Sequence, residues 1–82
     1  MNIVIYSKPA CPFCTKAVFL AQRICRESSQ QNHVYNKLML DHDFTKEDLL
    51  EKVPNARTFP QIFIDGKSIG GYKEFQEWYN NA

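Results

Sequence analysis

Hydrophobic positions change their spacing along this chain, and each change marks a new element. Ile3-Val4-Ile5 is an unbroken β-branched run, which predicts a short buried strand over residues 2–6. From Pro12 onward the spacing turns helical. Cys14, Ala17, Val18, Ala21, Ile24 and Cys25 fall at i, i+3, i+4, i+7, i+10 and i+11, while Lys16, Gln22, Arg23 and Arg26 point away. This predicts a helix over 12–27 with one apolar stripe. Pro12 suits its first position, where the missing N–H is no loss, and Cys11 is left at or beside the N-cap.

A polar break over 28–32 precedes a second strand over 33–40, in which Val34, Leu38 and Leu40 suggest burial at every second residue. Thr45 is placed as an N-cap with an acidic residue at N3, and Phe44 and Leu49 as a hydrophobic staple. A short helix therefore opens there and ends at Pro54-Asn55. Residues 61–64 read as a third strand, Asp65-Gly66 as a two-residue hairpin turn, and Lys67-Ser68-Ile69 as the returning fourth strand. Gly70-Gly71 interrupts that strand, and Phe75, Trp78 and Tyr79 give a last amphipathic helix. The order is β-α-β-α-β-β-α. Strands joined through a helix are parallel and hairpin strands antiparallel, so the expected fold class is α/β, a four-stranded mixed sheet with three helices on its two faces. No internal repeat or low-complexity segment interrupts this order.

A length of 82 residues bounds the chain to one domain, 1–82, and 44% apolar with 13% aromatic residues is enough for a small core. The net charge of +1 argues against a nucleic-acid binder. It is unevenly spread, because Lys8, Lys16, Arg23 and Arg26 outweigh Glu27 in the first 30 residues, a net +3. That excess around Cys11 and Cys14 suits an anionic ligand or partner as well as it suits an ordinary solvated face. The apolar run after Met1 is too short for a signal-peptide core or a membrane span, so a soluble, cytoplasmic protein with no membrane partner is expected. Three cysteines leave one over, which argues against a secreted disulfide framework.

Cys11-Pro12-Phe13-Cys14 admits three readings. As a redox dithiol it needs one exposed thiolate and one shielded resolving thiol. The open helix end supplies the first at Cys11, and the buried stripe supplies the second at Cys14. As half of a zinc site it would need two more ligands. Cys25, eleven residues beyond Cys14 on the same helix, lies about 16 Å away at 1.5 Å per residue. His33 and His42 lack ligand spacing to each other. A coincidental pair of core cysteines fits poorly with Pro12 at a helix start. Cys25 itself falls on the stripe and reads as core packing.

Two further segments carry candidate chemistry. Pro60 in Thr58-Phe59-Pro60 cannot donate to a sheet ladder, so it belongs at the first residue of its strand. An ordinary trans loop proline fits there. So does a cis bond that brings the free backbone groups of Phe59 beside Cys11. Gly70-Gly71-Tyr72-Lys73-Glu74 is either a plain turn into a solvated helix or a helix start that holds a carboxylate, with one charge of each sign suited to a zwitterionic amino-acid end.

Tyr6-Ser7-Lys8, Cys11-Pro12-Phe13-Cys14, Thr58-Phe59-Pro60-Gln61-Ile62-Phe63 and Ile69-Gly70-Gly71-Tyr72, in this order across essentially the whole chain, resemble the dithiol glutaredoxins of the small bacterial or phage-like kind. The resemblance implies a thioredoxin-like fold, a cis Phe59–Pro60 bond and glutathione as co-substrate, with no tightly bound cofactor and no metal. In the implied pocket Lys8 faces the glycine carboxylate of glutathione, and Phe13 packs beside the mixed disulfide. Phe59 pairs its backbone with the cysteinyl residue, flanked by Thr58 and Pro60. Gly71, Tyr72, Lys73 and Glu74 border the γ-glutamyl end, and Glu74 takes its ammonium.

Three positions depart from the common pattern. Phe13 replaces a frequent Tyr, Phe59 a frequent β-branched residue, and Glu74 a frequent Asp. The implied mechanism has Cys11 attack a disulfide or glutathione mixed disulfide, Cys14 or glutathione resolve it, and glutathione re-reduce the pair at the expense of NADPH through glutathione reductase. Implied partners are disulfide-containing or glutathionylated proteins, with ribonucleotide reductase the first suggestion, and a monomeric state. A thioredoxin-like donor recharged by thioredoxin reductase is the nearest alternative, but Ala10 stands where thioredoxins carry Trp, and Pro12-Phe13 where they carry Gly-Pro. An iron–sulfur or metal-binding module is the alternative of another class, disfavoured by Pro12 and a resolving Cys14.

Overall fold

β1 (Asn2–Ser7) lies inside the sheet and is covered on both faces, which explains its nearly continuous apolar sequence. A computed structural model describes residues 1–27 and 32–81 of the chain. β1 pairs in parallel with β2 (Val34–Met39) through the crossover helix α1 (Pro12–Glu27). Along its other edge it pairs antiparallel with β3 (Gln61–Ile64), with Tyr6 opposite Gln61. β4 (Lys67–Gly70) adds an antiparallel hairpin strand, so the order is β2-β1-β3-β4. α2 (Lys46–Lys52) and α3 (Tyr72–Asn80) complete the expected series. No helix among the described residues is long and apolar enough to cross a membrane.

Alternation along β1 divides the core between the two faces. Ile3 and Ile5 point toward α1 and α3 and bury themselves among Ala17, Ala21, Ile24, Ile62 and Phe75. Val4 and Tyr6 point the other way, where Tyr6, Phe44 and Leu49 form the second cluster under α2. Tyr6 meets Phe44 edge to face at 4.9 Å between ring centres and Phe63 at 5.3 Å. Thr45 caps α2 through a full capping box, with the Asp48 N–H donating to Thr45 Oγ1 at 3.1 Å and the Thr45 N–H donating to Asp48 Oδ2 at 3.0 Å. Phe44 and Leu49 flank that cap and are both buried, as the staple requires. In the β3–β4 turn Asp65 and Gly66 have φ of 52° and 82°, the paired left-handed conformation that a two-residue hairpin needs.

The structure departs from the sequence reading in small, explicable ways. β1 runs on to Ser7, β4 includes Gly70, and β2 is shorter at both ends than the expected 33–40. Burial does not alternate along β2 as expected: Val34 is 53% exposed, while Leu38 and, one residue past the strand's last, Leu40 pack into the second cluster. The seven-residue α2 is only about 10 Å long, and it covers one end of that face. Cys25 is half-buried instead of fully buried. It and Val18 lie at one margin of the α1 stripe, whose centre is Cys14, Ala17, Ala21 and Ile24. The polar break expected over 28–32 falls, but for Asn32, outside the described residues.

Ile5→Ala is expected to cost about 2–5 kcal/mol, because it empties a fully packed site, whereas Val34→Ala is expected to stay within about 0.5 kcal/mol; urea unfolding measures both. The Asp48 carboxyl is held below its usual range, first by the hydrogen bond from the Thr45 backbone and then by the Thr45 side chain. On acidification the unfolded chain therefore takes up this proton first. The contribution is complete above the ordinary carboxyl pKa near 3.9 and is lost as pH falls through the lower folded value. Stability of Asp48→Asn should accordingly lie below that of the parent at pH 7 and converge toward it as pH falls through the lowered folded value.

Candidate active site

α1 begins where the chain leaves β1, and the four residues from Lys8 to Cys11 make the turn. Ala10 adopts φ of 54°, a left-handed conformation that is uncommon outside glycine. Pro12 is the first helical residue, so Cys11 occupies the N-cap and Cys14 the N3 position. The Cys14 N–H donates to Cys11 Sγ at 3.1 Å, the role that a Ser, Thr or Asp oxygen plays at an ordinary helix start. No carboxylate lies in the first turn of α1 to offset its positive end. The two sulfurs are joined as a disulfide across a Cα–Cα distance of 5.2 Å. Cys11 is half-buried and Cys14 is only 4% exposed, which gives one accessible and one sheltered sulfur.

The Phe59–Pro60 bond is cis, and the Phe59 carbonyl oxygen lies 3.8 Å from Cys11 Sγ. Gln61, buried at the start of β3, donates from Nε2 to the Thr58 carbonyl at 2.8 Å and fixes the loop from below. Across the gap Phe13 is 55% exposed and stands against Tyr72, with ring centres 5.9 Å apart. Lys16 Nζ sits 5.2 Å from the centre of the Phe13 ring. Phe13, Thr58, Phe59, Pro60, Gly71, Tyr72, Lys73 and Glu74 together line one groove of about 230 Å³.

Glycines open its far end. Gly70 has φ of 111°, and a Cβ there would stand 2.8 Å from the Glu74 side chain; one at Gly71 would stand 3.4 Å from the Pro60 carbonyl. The Gly71 N–H donates to Glu74 Oε1 at 2.7 Å, so one oxygen of Glu74 caps its own helix.

Lys8 lies apart from these eight residues, on the other side of Phe59, with its Nζ 6.0 Å from that ring. There it shares a hollow with Lys46 and Arg57. Arg57 has no signal in the sequence beyond its place directly before Thr58. Among the described residues, no cluster of three or more His, Cys, Asp or Glu side chains could hold a metal ion.

A disulfide-forming pair at a helix start, one sulfur open and one sheltered, on this four-stranded sheet defines a thiol–disulfide oxidoreductase of the thioredoxin fold. The sequence model of the glutaredoxin family matches residues 3–69. Glutaredoxin 1 of Escherichia coli (strain K12) is 37% identical over 79 residues, 95% of this chain and 92% of that protein. The NMR structure of reduced Escherichia coli glutaredoxin superimposes with a TM-score of 0.86 at 35% identity, covering 99% of this chain and 95% of that one. A crystal structure of a buckwheat glutaredoxin–glutathione complex gives a TM-score of 0.67 at 25% identity, over 96% of this chain and 68% of that one. The chain belongs to the glutaredoxin family.

Of the three cysteines, Cys25 alone is outside the disulfide, so thiol titration of the denatured oxidised protein should count one thiol and of the reduced protein three. A count of three after air oxidation would mean that the pair does not close.

Proposed function

We propose that this chain, as a single domain, reduces protein disulfides and glutathione mixed disulfides with glutathione as its reductant. The observation that carries the reading is the groove of about 230 Å³ beside the pair, with a backbone edge at Phe59 and an aromatic wall of Phe13 and Tyr72. Its far end combines the Lys73 cation with the Glu74 anion. A γ-glutamyl-cysteinyl-glycine fits that order of chemistry. Its cysteinyl backbone pairs with Phe59, and the γ-glutamyl carboxylate and ammonium lie toward Lys73 and the second oxygen of Glu74. Lys8, joined by Arg57, receives the glycine carboxylate.

In the reduced enzyme the Cys14 N–H and the helix end favour thiolate over thiol at Cys11. That thiolate attacks one sulfur of the substrate disulfide, forms a mixed disulfide and expels the other sulfur as thiolate. On a protein substrate Cys14 then attacks the Cys11 sulfur, releasing the second substrate thiol and closing the Cys11–Cys14 bond. Two glutathiones reopen it, becoming glutathione disulfide, which glutathione reductase reduces with NADPH. The middle of the glutaredoxin range, about −200 to −230 mV, lies above the middle of the cytosolic glutathione poise, about −220 to −260 mV, so reduction by glutathione runs downhill there. The cytoplasm is the compartment that supplies this reductant. Ribonucleotide reductase is the protein substrate we place first, on the likeness to small dithiol glutaredoxins.

NADPH consumption with glutathione, glutathione reductase and a small glutathione mixed disulfide tests the reading. Activity is expected there and not with thioredoxin reductase in its place; the reverse result would make the chain a thioredoxin-like donor. Cys11→Ser should abolish all turnover. Cys14→Ser should keep mixed-disulfide reduction and lose reduction of a protein disulfide, ribonucleotide reductase included. Glu74→Gln retains an acceptor for the Gly71 N–H while removing the charge. It should raise the KM for glutathionylated substrate severalfold at unchanged kcat, and an unchanged KM would remove Glu74 from the site.

A further inference from the structure

Ser7 is the polar exception in an apolar series. Ile3, Ile5 and Ser7 alternate along β1 onto the face that α1 covers, with exposures of 0%, 0% and 1%. Along α1 the buried stripe ascends toward the same end of the sheet through Ile24, Ala21, Ala17 and Cys14. The crossover runs α1 antiparallel to β1, so Ser7 and Cys14 are the last buried residues of two series that rise toward the same end of the sheet. Ser7, Cys11, Cys14 and Val18 border one cavity of about 590 Å³, which shares no lining residue with the groove at Phe13 and Phe59. Ser7 Oγ is buried and has no hydrogen-bond partner while the disulfide is closed. Buried hydroxyls are rarely left so, and one that is calls for a cause.

The missing partner is supplied by the chemistry of the pair. In the disulfide Cys14 Sγ is tied to Cys11 and makes no hydrogen bond with Ser7 Oγ; opening the S–S bond frees it to turn about its own side chain. Reduction adds two electrons across the S–S bond and one proton to each sulfur that becomes a thiol, none to a sulfur that stays thiolate. We propose that Ser7 is a positioning residue whose hydroxyl hydrogen-bonds Cys14 Sγ only in the reduced enzyme. It accepts from the thiol, or donates to the thiolate that Cys14 must become before it attacks the Cys11 mixed disulfide. The hydroxyl is therefore satisfied in the dithiol and orphaned in the disulfide. It raises the reduction potential of the pair and assists resolution, without acting on the first attack by Cys11.

Equilibration with dithiothreitol tests this. The two thiols of the reagent become its cyclic disulfide as the Cys11–Cys14 bond breaks and their protons pass to the cysteines. Glutathione recognition takes no part, so this result and that of the glutathione assay stand or fall separately. Ser7→Ala should shift the exchange constant roughly tenfold toward the protein disulfide, equivalent to a potential about 30 mV more negative. Ser7→Thr, which keeps the hydroxyl, should stay within about twofold of the parent.

Thermal unfolding of each redox form supplies the second readout. Oxidised Ser7→Ala should melt at or above the parent, because an unpartnered hydroxyl has been removed, and reduced Ser7→Ala should melt below it. In a Cys14→Ser background, Ser7→Ala should leave turnover of a small mixed disulfide unchanged. An unchanged or raised potential in Ser7→Ala overturns the proposal. So does an oxidised form that is destabilised as much as the reduced one or fails to fold, which would mean that Ser7 has a structural partner in both states. Equal loss of monothiol turnover would assign Ser7 to Cys11 instead and would also overturn it.

Discussion

The junction between β1 and α1 is the constraint on which the site rests. β1 is held from both sides by neighbouring strands and from both faces by packed side chains, so the position of Ser7 is settled by the whole sheet. Ala17 and Ala21 seat α1 on Ile3 and Ile5 with small side chains that bring helix and strand close. Only four residues join two elements fixed in this way. The left-handed Ala10 turns the chain within that span, and Cys11 has little choice but to enter the N-cap with its sulfur toward the Cys14 N–H. A sulfur held at a positive helix end thus follows from packing some distance below it.

The second half of the site comes from pairing far apart in sequence. Tyr6 opposite Gln61 in the antiparallel β1–β3 ladder fixes what lies past each strand end. Residues after Tyr6 lead to Cys11, residues before Gln61 lead back to Phe59, and the two meet 48 positions apart with sulfur and carbonyl 3.8 Å from one another. The β3–β4 hairpin extends the same logic. Ile62 opposite Gly70 carries the chain back up to Gly71 and the start of α3 beside Pro60. Side-chain alternation lets Phe59 serve both roles, its backbone edge toward the sulfur and its ring among the α2 cluster near Phe44.

Local features were the most legible in the sequence. The α1 stripe, the Thr45 capping box, the Asp65-Gly66 turn and the Cys pair each depend on residues within a few positions of one another, and the structure carries all four. The antiparallel pairing of β1 with β3 is a non-local choice among several edges, and no spacing in the chain specifies it. Val34 illustrates the same limit, because periodicity assigns a side chain to a face but not the length of the helix that covers that face. Arg57 and Ser7 show no role by spacing alone, for a related reason. One becomes notable only when the fold sets it beside Lys8, and the other only when burial leaves its hydroxyl without a partner. The grouping of Phe13 with Tyr72 and of Phe59 with Gly71 was reachable only through likeness to a known family, since residues that distant carry no mutual pattern.

Two helix N-termini border this region and are handled in opposite ways. α3 is capped from within, Glu74 turning back onto the Gly71 N–H, so a fixed negative charge already sits at its positive end. α1 has no such carboxylate, and its cap is the Cys11 sulfur itself. The charge at the start of α1 therefore depends on redox state, neutral in the disulfide and negative when Cys11 is a thiolate, while the charge at α3 stays constant. A helix end left without an acidic residue is a small loss in the oxidised form, and a thiolate at Cys11 would compensate for it in the reduced form. The absence of Asp or Glu from the first turn of α1 is thus as much a part of the redox device as the two cysteines, because a carboxylate there would compete with the thiolate for the same positive field.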